Sequence, residues 1–138
     1  MKPFFLLKYL LFFLLFAGTG CQKIIVEDQA LEIGKTATIH LNQLYFSADK
    51  QYSLMLTEAN DSRCPTGVEC IWAGEVSLKG EWTAGSNKTN FELHTLLKNM
   101  QVQPEGYTIE ITDVKPYPVY GSPSKTEDLV VTLIIQKN

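Results

Sequence analysis

The sequence predicts an all-β domain, an antiparallel sandwich of about seven strands, behind an N-terminal export segment. Three observations carry this. Apolar residues alternate with period two in several stretches after residue 29, no helical period persists for three turns, and clusters of Gly, Ser and Asn separate the alternating stretches. Without crossover helices the strands must pair antiparallel. The arrangement expected is an immunoglobulin-like sandwich, with a barrel as the runner-up.

The export segment comes first. From Met1 to Gly20 there are two lysines, Lys2 and Lys8, no acid, and a Leu- and Phe-rich run from Phe4 to Ala17 broken only by Lys8. A positive start, an apolar core and small residues before a cleavage point are the parts of a secretory signal. The small residues Ala17-Gly18-Thr19-Gly20 lead directly into Cys21. This junction resembles the lipobox of bacterial lipoproteins, with Gly18 where that family usually carries leucine. The resemblance implies that residues 1–20 are removed and that Cys21 is the site of lipid attachment. Residues 21–28 then form a tether, and 29–138 form a single domain. Two or three acyl chains, palmitate among them, anchor a protein stably where one chain binds only marginally. Gln22 differs from the aspartate that retains enterobacterial lipoproteins at the inner membrane, so the resemblance points to the outer membrane.

Composition limits the function classes. A chain of 138 residues, 45% hydrophobic and 20% charged, is one domain and not a multidomain enzyme. Loss of Lys2 and Lys8 with the signal, and of no acid, takes the formal charge from -3 to -5. No basic patch can dominate such a surface, so no nucleic acid partner is expected. Five of the seven phenylalanines also leave, so that the core must be built from Val, Ile, Leu, Tyr and the two tryptophans.

The strands follow in order. Ala30–Ile33 and Thr36–Leu41 are short candidates separated by the turn signal Gly34-Lys35. In Gln51–Thr57, Tyr52, Leu54 and Leu56 share one face, and in Glu75–Thr83 the inner face is Val76, Leu78, Gly80 and Trp82. The turn Ala84-Gly85-Ser86-Asn87 should join the latter to Thr89–Thr95 as a hairpin. Leu93–Met100 reads as a strand end plus a turn. Tyr107, Ile109 and Ile111 alternate again. The last strand, Leu129–Gln136, is apolar on both faces, which suits the centre of a sheet. Between the last two strands, Pro116, Pro118 and Pro123 make Lys115–Asp128 a long loop.

The most informative segment joins two of these strands: Asp61-Ser62-Arg63-Cys64-Pro65-Thr66-Gly67-Val68-Glu69-Cys70-Ile71-Trp72-Ala73-Gly74. With Cys21 lipidated, Cys64 and Cys70 are an even pair in an oxidising compartment, and a disulfide between them is expected. Metal is not expected, because His40 and His94 fall on different strands without ligand spacing. Arg63 is the only arginine, which suggests a need for its planar fork, with Asp61, Glu69 or Glu75 as partner. The segment resembles one found in a family of uncharacterised exported bacterial proteins and lipoproteins that share Asp-Ser-Arg-Cys-Pro, a second cysteine and Trp-Ala-Gly. Tyr107 with Ile109, and Pro116-Tyr117-Pro118 before a final apolar strand, fit the same pattern. The resemblance implies a small all-β domain with a clipped loop, and it implies no activity.

The loop admits two roles. In one, Cys64, Cys70 and the Arg63 ion pair form a plug closing one end of the sandwich, with Trp72 packed over the disulfide. In the other, Pro65, Thr66, Gly67 and Val68 are a recognition surface on a rigid loop. Catalytic motifs are absent from the sequence, no cofactor is expected, and the histidines read as exposed strand residues. Three function classes remain. The first is a non-catalytic envelope lipoprotein that binds a partner protein or envelope polymer through its loops. The second is a protease inhibitor presenting the Cys64–Cys70 loop. The third is a small hydrolase using Asp61 with Glu69 or Glu75.

Overall fold

The structure, a computed structural model, describes residues 30–96, 101–104, 106–122 and 125–138. The segments expected to be a signal and a tether, with Cys21, lie outside the described residues. Among the described residues there are eight strands: β1 (Thr36–His40), β2 (Leu44–Phe46), β3 (Tyr52–Asp61), β4 (Val76–Ala84), β5 (Asn87–His94), β6 (Gln101–Val102), β7 (Tyr107–Lys115) and β8 (Val130–Lys137). They form two four-stranded antiparallel sheets, ordered β1-β8-β7-β6 and β2-β3-β4-β5. The all-β sandwich is as expected, with one correction to its topology. Each sheet is a meander apart from the return of β8 to β1, so the Greek-key order of immunoglobulin domains is not formed.

The period-two pattern does what a half-buried strand requires. Tyr52, Leu54 and Leu56 of β3 face Val76, Leu78 and Trp82 of β4 and Phe91 and Leu93 of β5 on one inner surface. Ile39, Ile109, Ile111, Val114, Val131, Leu133 and Ile135 cover the other. β8 lies between β1 and β7, the central place its two apolar faces require. Gly80 stands at an inward position because the Phe91 ring lies over it; a Cβ there would sit 2.5 Å from Phe91 Cζ. Trp82 stacks on Tyr52 at 5.2 Å and tilts against Tyr107 at 5.1 Å, which joins the sheets at one end.

Some elements differ from the sequence reading. Ala30–Ile33 is no strand: Leu31 makes a single parallel bridge to Ser47, and the chain turns at once through Gly34. β2 and β6 were not expected, being three and two residues long, too short for a period to show. β3 also runs four residues beyond Thr57, through a bulge.

That bulge has a counterpart in the other sheet. Leu56 pairs with Gly80 and Glu58 with Lys79, leaving Thr57 as the extra residue; Ile111 pairs with Leu133 and Asp113 with Thr132, leaving Thr112. Each extra threonine donates its hydroxyl to the carbonyl opposite, Thr57 to Lys79 at 3.3 Å and Thr112 to Thr132 at 3.0 Å. A bulge shifts the alternation by one, so Ala59 and Asp61, and Val114, turn inward at the same end of the sandwich. The functional site is built on that end.

Candidate functional site

Beyond β3 and β4 the ladder continues irregularly. Ser62 N donates to Glu75 O at 2.8 Å and Cys64 N to Ala73 O at 2.8 Å, which brings the arms of the clipped loop together below the Cys64–Cys70 disulfide. This close pairing requires glycine at 74. Its φ is +66°, and a Cβ would lie 1.8 Å from the Ser62 carbonyl oxygen. Gly74→Ala is therefore expected to lower the unfolding free energy by about 2 to 4 kcal/mol, measured by urea unfolding. A variant as stable as the parent would contradict the close approach.

Arg63 closes the end of the core. Its Nε donates to Asp61 Oδ1 at 2.8 Å and its Nη2 to Asp61 Oδ2 at 2.6 Å, the bidentate pair for which an arginine was expected. Of the three carboxylates considered, Asp61 is the partner. Glu75 instead contacts His94, with Oε1 3.2 Å from Nδ1, and Glu69 is exposed. His94 is thus half-buried between Glu75 and Glu92, not a free surface residue, whereas His40 is exposed. The same guanidinium reaches the other sheet, donating to Val114 O at 2.8 Å and Pro116 O at 2.7 Å, and lies over the Tyr117 ring at 4.7 Å. Both charged side chains are nearly buried, Arg63 at 10% and Asp61 at 11% exposure. Arg63 thereby ties the bulged end of β3 to the bulged end of β7.

The electrostatics follow from this. Burial opposes ionisation of Asp61, but the side-chain and backbone hydrogen bonds of Arg63 and its charge outweigh burial and hold the carboxyl below its ordinary pKa. An ionised carboxylate engaged on both oxygens is poorly suited to act as a general acid. The hydrolase reading paired Asp61 with Glu69 or Glu75 and left open which of the two is the acid.

Trp72 is not a plug. It is 83% exposed and Ile71 95%, and the nearly buried side chains at this end of the sandwich are those of Arg63 and Asp61. Thr66 is stitched to the Lys115–Asp128 loop: its N–H donates to Pro118 O at 3.0 Å and its carbonyl accepts from Tyr120 N at 3.1 Å. Thr66 and Val119 form a parallel bridge, and Val119 bridges Ser122 in turn. Two loops distant in sequence are thereby one rigid unit.

The chain matches no protein-family model, no curated protein and no solved structure. The chemistry of the site is therefore read from its own residues. Between the joined loops lies a cleft of about 410 Å³, floored by Asp61 and Arg63 and walled by Pro65, Pro118, Val119, Tyr120 and Leu129. The Asp61–Arg63 pair in its lining is already hydrogen-bonded, and the surface it offers is mainly apolar, with Thr126 as a further polar residue. The two loops carry Val68, Ile71, Trp72, Tyr117, Val119 and Tyr120, six of the ten large hydrophobic residues exposed among the described residues, and Val119 and Tyr120 line the cleft itself. Most of the exposed large apolar side chains among the described residues thus lie on two loops at one end of the domain.

The sequence singled out Pro65, Thr66, Gly67, Val68 and Trp72 and passed over Ile71 and Val119. Ile71 left a readable signal, an apolar residue beside Trp72 in a turn-rich connection. Val119 left none, since its place depends on the bridge to Thr66. Among the described residues no group of His, Cys, Asp and Glu is placed to hold a metal ion.

Proposed function

We propose that this protein is a membrane-tethered envelope lipoprotein, anchored through lipid on Cys21, whose joined loops recognise a partner without catalysis. The observation that carries the reading is the apolar surface itself. It projects from a scaffold made rigid by the disulfide, the Arg63 tie and the Thr66–Val119 bridge, so that little ordering entropy is lost on binding. The Ala17–Cys21 junction supports the anchor. A protease inhibitor must offer an extended segment with free backbone groups, and the double use of Thr66 weighs against that alternative.

The test is a pull-down of the lipidated protein from its own envelope with a bifunctional crosslinker, run beside a Cys64→Ser/Cys70→Ser variant. The variant is expected to lose about 2 kcal/mol of stability on the chain-entropy model and to remain folded. Capture that fails with the variant supports recognition through the clipped loop. Identical capture by both forms contradicts it.

A further inference from the structure

Of the strands that edge the two sheets, one differs from the rest. β1, β2 and β6 are five, three and two residues long, whereas β5 runs for eight, and its register against β4 carries no bulge. Short or bulged edges resist pairing with another chain, and a long straight edge is a template for it. The phase of the β4–β5 ladder follows from its end, where Thr95 N donates to Val76 O at 3.0 Å. Bonded and non-bonded pairs alternate in an antiparallel ladder, so Thr89, Phe91 and Leu93 turn their backbone groups to Trp82, Gly80 and Leu78. Lys88, Asn90 and Glu92 turn theirs to the open edge, where the described residues place no strand and no backbone hydrogen bond. The side chains of the same three residues are exposed on the outer face of the sheet.

The order of charges on that edge selects both a partner and a register. Lys88, Asn90 and Glu92 read basic, amide, acidic, and the reversed strand of a second copy reads acidic, amide, basic. An antiparallel pairing with its two-fold axis at Asn90 sets Lys88 opposite Glu92 of the second copy on both sides of the axis. Asn90 then meets its own equivalent, and an amide side chain can both donate and accept. All three pairs are of the bonded kind, which gives about six backbone hydrogen bonds. Sliding the second copy by two residues breaks both ion pairs, and sliding it by four sets Glu92 against Glu92 or Lys88 against Lys88. The sheet already leads the same way. Lys79 lies opposite Glu92 on β4, so the pairing would place Glu92 between Lys79 of its own chain and Lys88 of the other. Lys88 contacts Glu81 of β4 at 2.7 Å and would gain a second carboxylate on its edge side.

We propose that β5 joins β5 of a second copy of this chain, antiparallel about Asn90, so that two four-stranded sheets become one continuous sheet. The pairing uses a side edge of the sandwich and does not depend on the joined loops. It sets the joined loops of the two copies at opposite ends of the pair.

The experiment is oxidative crosslinking of cysteine substitutions on β5 in the purified full chain, with copper phenanthroline as oxidant and a non-reducing gel as readout. Across the axis the two Asn90 Cα atoms would lie about 5.5 Å apart, within disulfide reach, whereas Lys88 to Lys88 and Glu92 to Glu92 would each span roughly 13 Å. Asn90→Cys is therefore expected to give about fivefold more covalent dimer than Lys88→Cys or Glu92→Cys alone, and an equal mixture of those two to crosslink as Asn90→Cys does. Added to Asn90→Cys, Lys88→Glu should lower the dimer about fivefold, and Lys88→Glu with Glu92→Lys should restore it. All three positions are exposed, and thermal unfolding of each variant separates lost pairing from lost fold. Equal dimer from the three single substitutions, no dimer from Asn90→Cys, or a dimer indifferent to Lys88→Glu overturns the proposal.

Discussion

Arg63→Ala is expected to lower the unfolding free energy by about 3 kcal/mol or more and the thermal midpoint by about 10 °C. The magnitude comes from what the substitution leaves behind. Asp61 becomes a nearly buried carboxylate without its cation, and the Val114 and Pro116 carbonyls lose their donor at the point where the sheets are joined. Arg63→Lys keeps the charge and loses the fork, so it should recover less than half of the loss. Asp61→Leu/Arg63→Met removes both charges together and should be more stable than either single removal. Thermal and urea unfolding of the parent, these three variants and Asp61→Leu decide this. A single Arg63→Ala that unfolds like the parent would show that the tie does not hold the end closed.

The same pair sets an acid limit. The carboxyl of Asp61 titrates lower in the folded protein than in the unfolded chain, so its stabilisation is complete above the unfolded pKa of about 4 and is lost as pH falls through the folded value. Stability measured from pH 5 downward should decline, and Asp61→Asn, less stable at neutral pH, should show a shallower decline. An unchanged slope in that variant would assign the acid limit to other carboxylates.

The second large effect is on binding. Ile71→Ser/Trp72→Ser is expected to reduce partner capture at least tenfold while moving the thermal midpoint by no more than about 2 °C. Buried aromatic anchors at interfaces commonly contribute about 2 kcal/mol or more each, whereas exposed side chains contribute little to folding. Both residues are almost fully solvated, and neither Ile71 nor Trp72 belongs to the buried core. Loss of capture with loss of fold would mean instead that Trp72 packs in solution. Capture equal to that of the parent would remove residues 71 and 72 from the surface.

Much of the fold was legible because most strands are long enough for their period to show. β3, β4 and β5 declare their inner faces through Leu54, Leu56, Leu78, Trp82 and Leu93, and β8 its central place through two apolar faces. The bulges were legible in principle. The apolar series steps from Leu56 to Ala59 and from Ile111 to Val114, three residues where two are due, and a threonine follows Leu56 and Ile111 in each case. Strand order was less accessible, because a local pattern does not say which strand a given strand adjoins. The site divides along the same line. Cys64, Cys70 and Arg63 were readable from residue type alone, since each needs a partner of known chemistry. That Arg63 would reach β7 and that Trp72 would stay exposed depends on contacts between residues some fifty positions apart and on the path of the loop.

The central claim is that partners meet the joined loops and not the opposite end of the domain. It is tested most directly by placing a photo-crosslinking amino acid, one position at a time, at Trp72 and Tyr120 and at two control positions, Glu32 and Lys88, in the lipidated protein within its own envelope. Both controls lie towards the end of the sandwich where Leu31 and Tyr52 stand. The account predicts a discrete adduct of the same mass from positions 72 and 120 and none of that mass from 32 and 88. Adducts to another protein from the controls alone, or equally from all four positions, would contradict it.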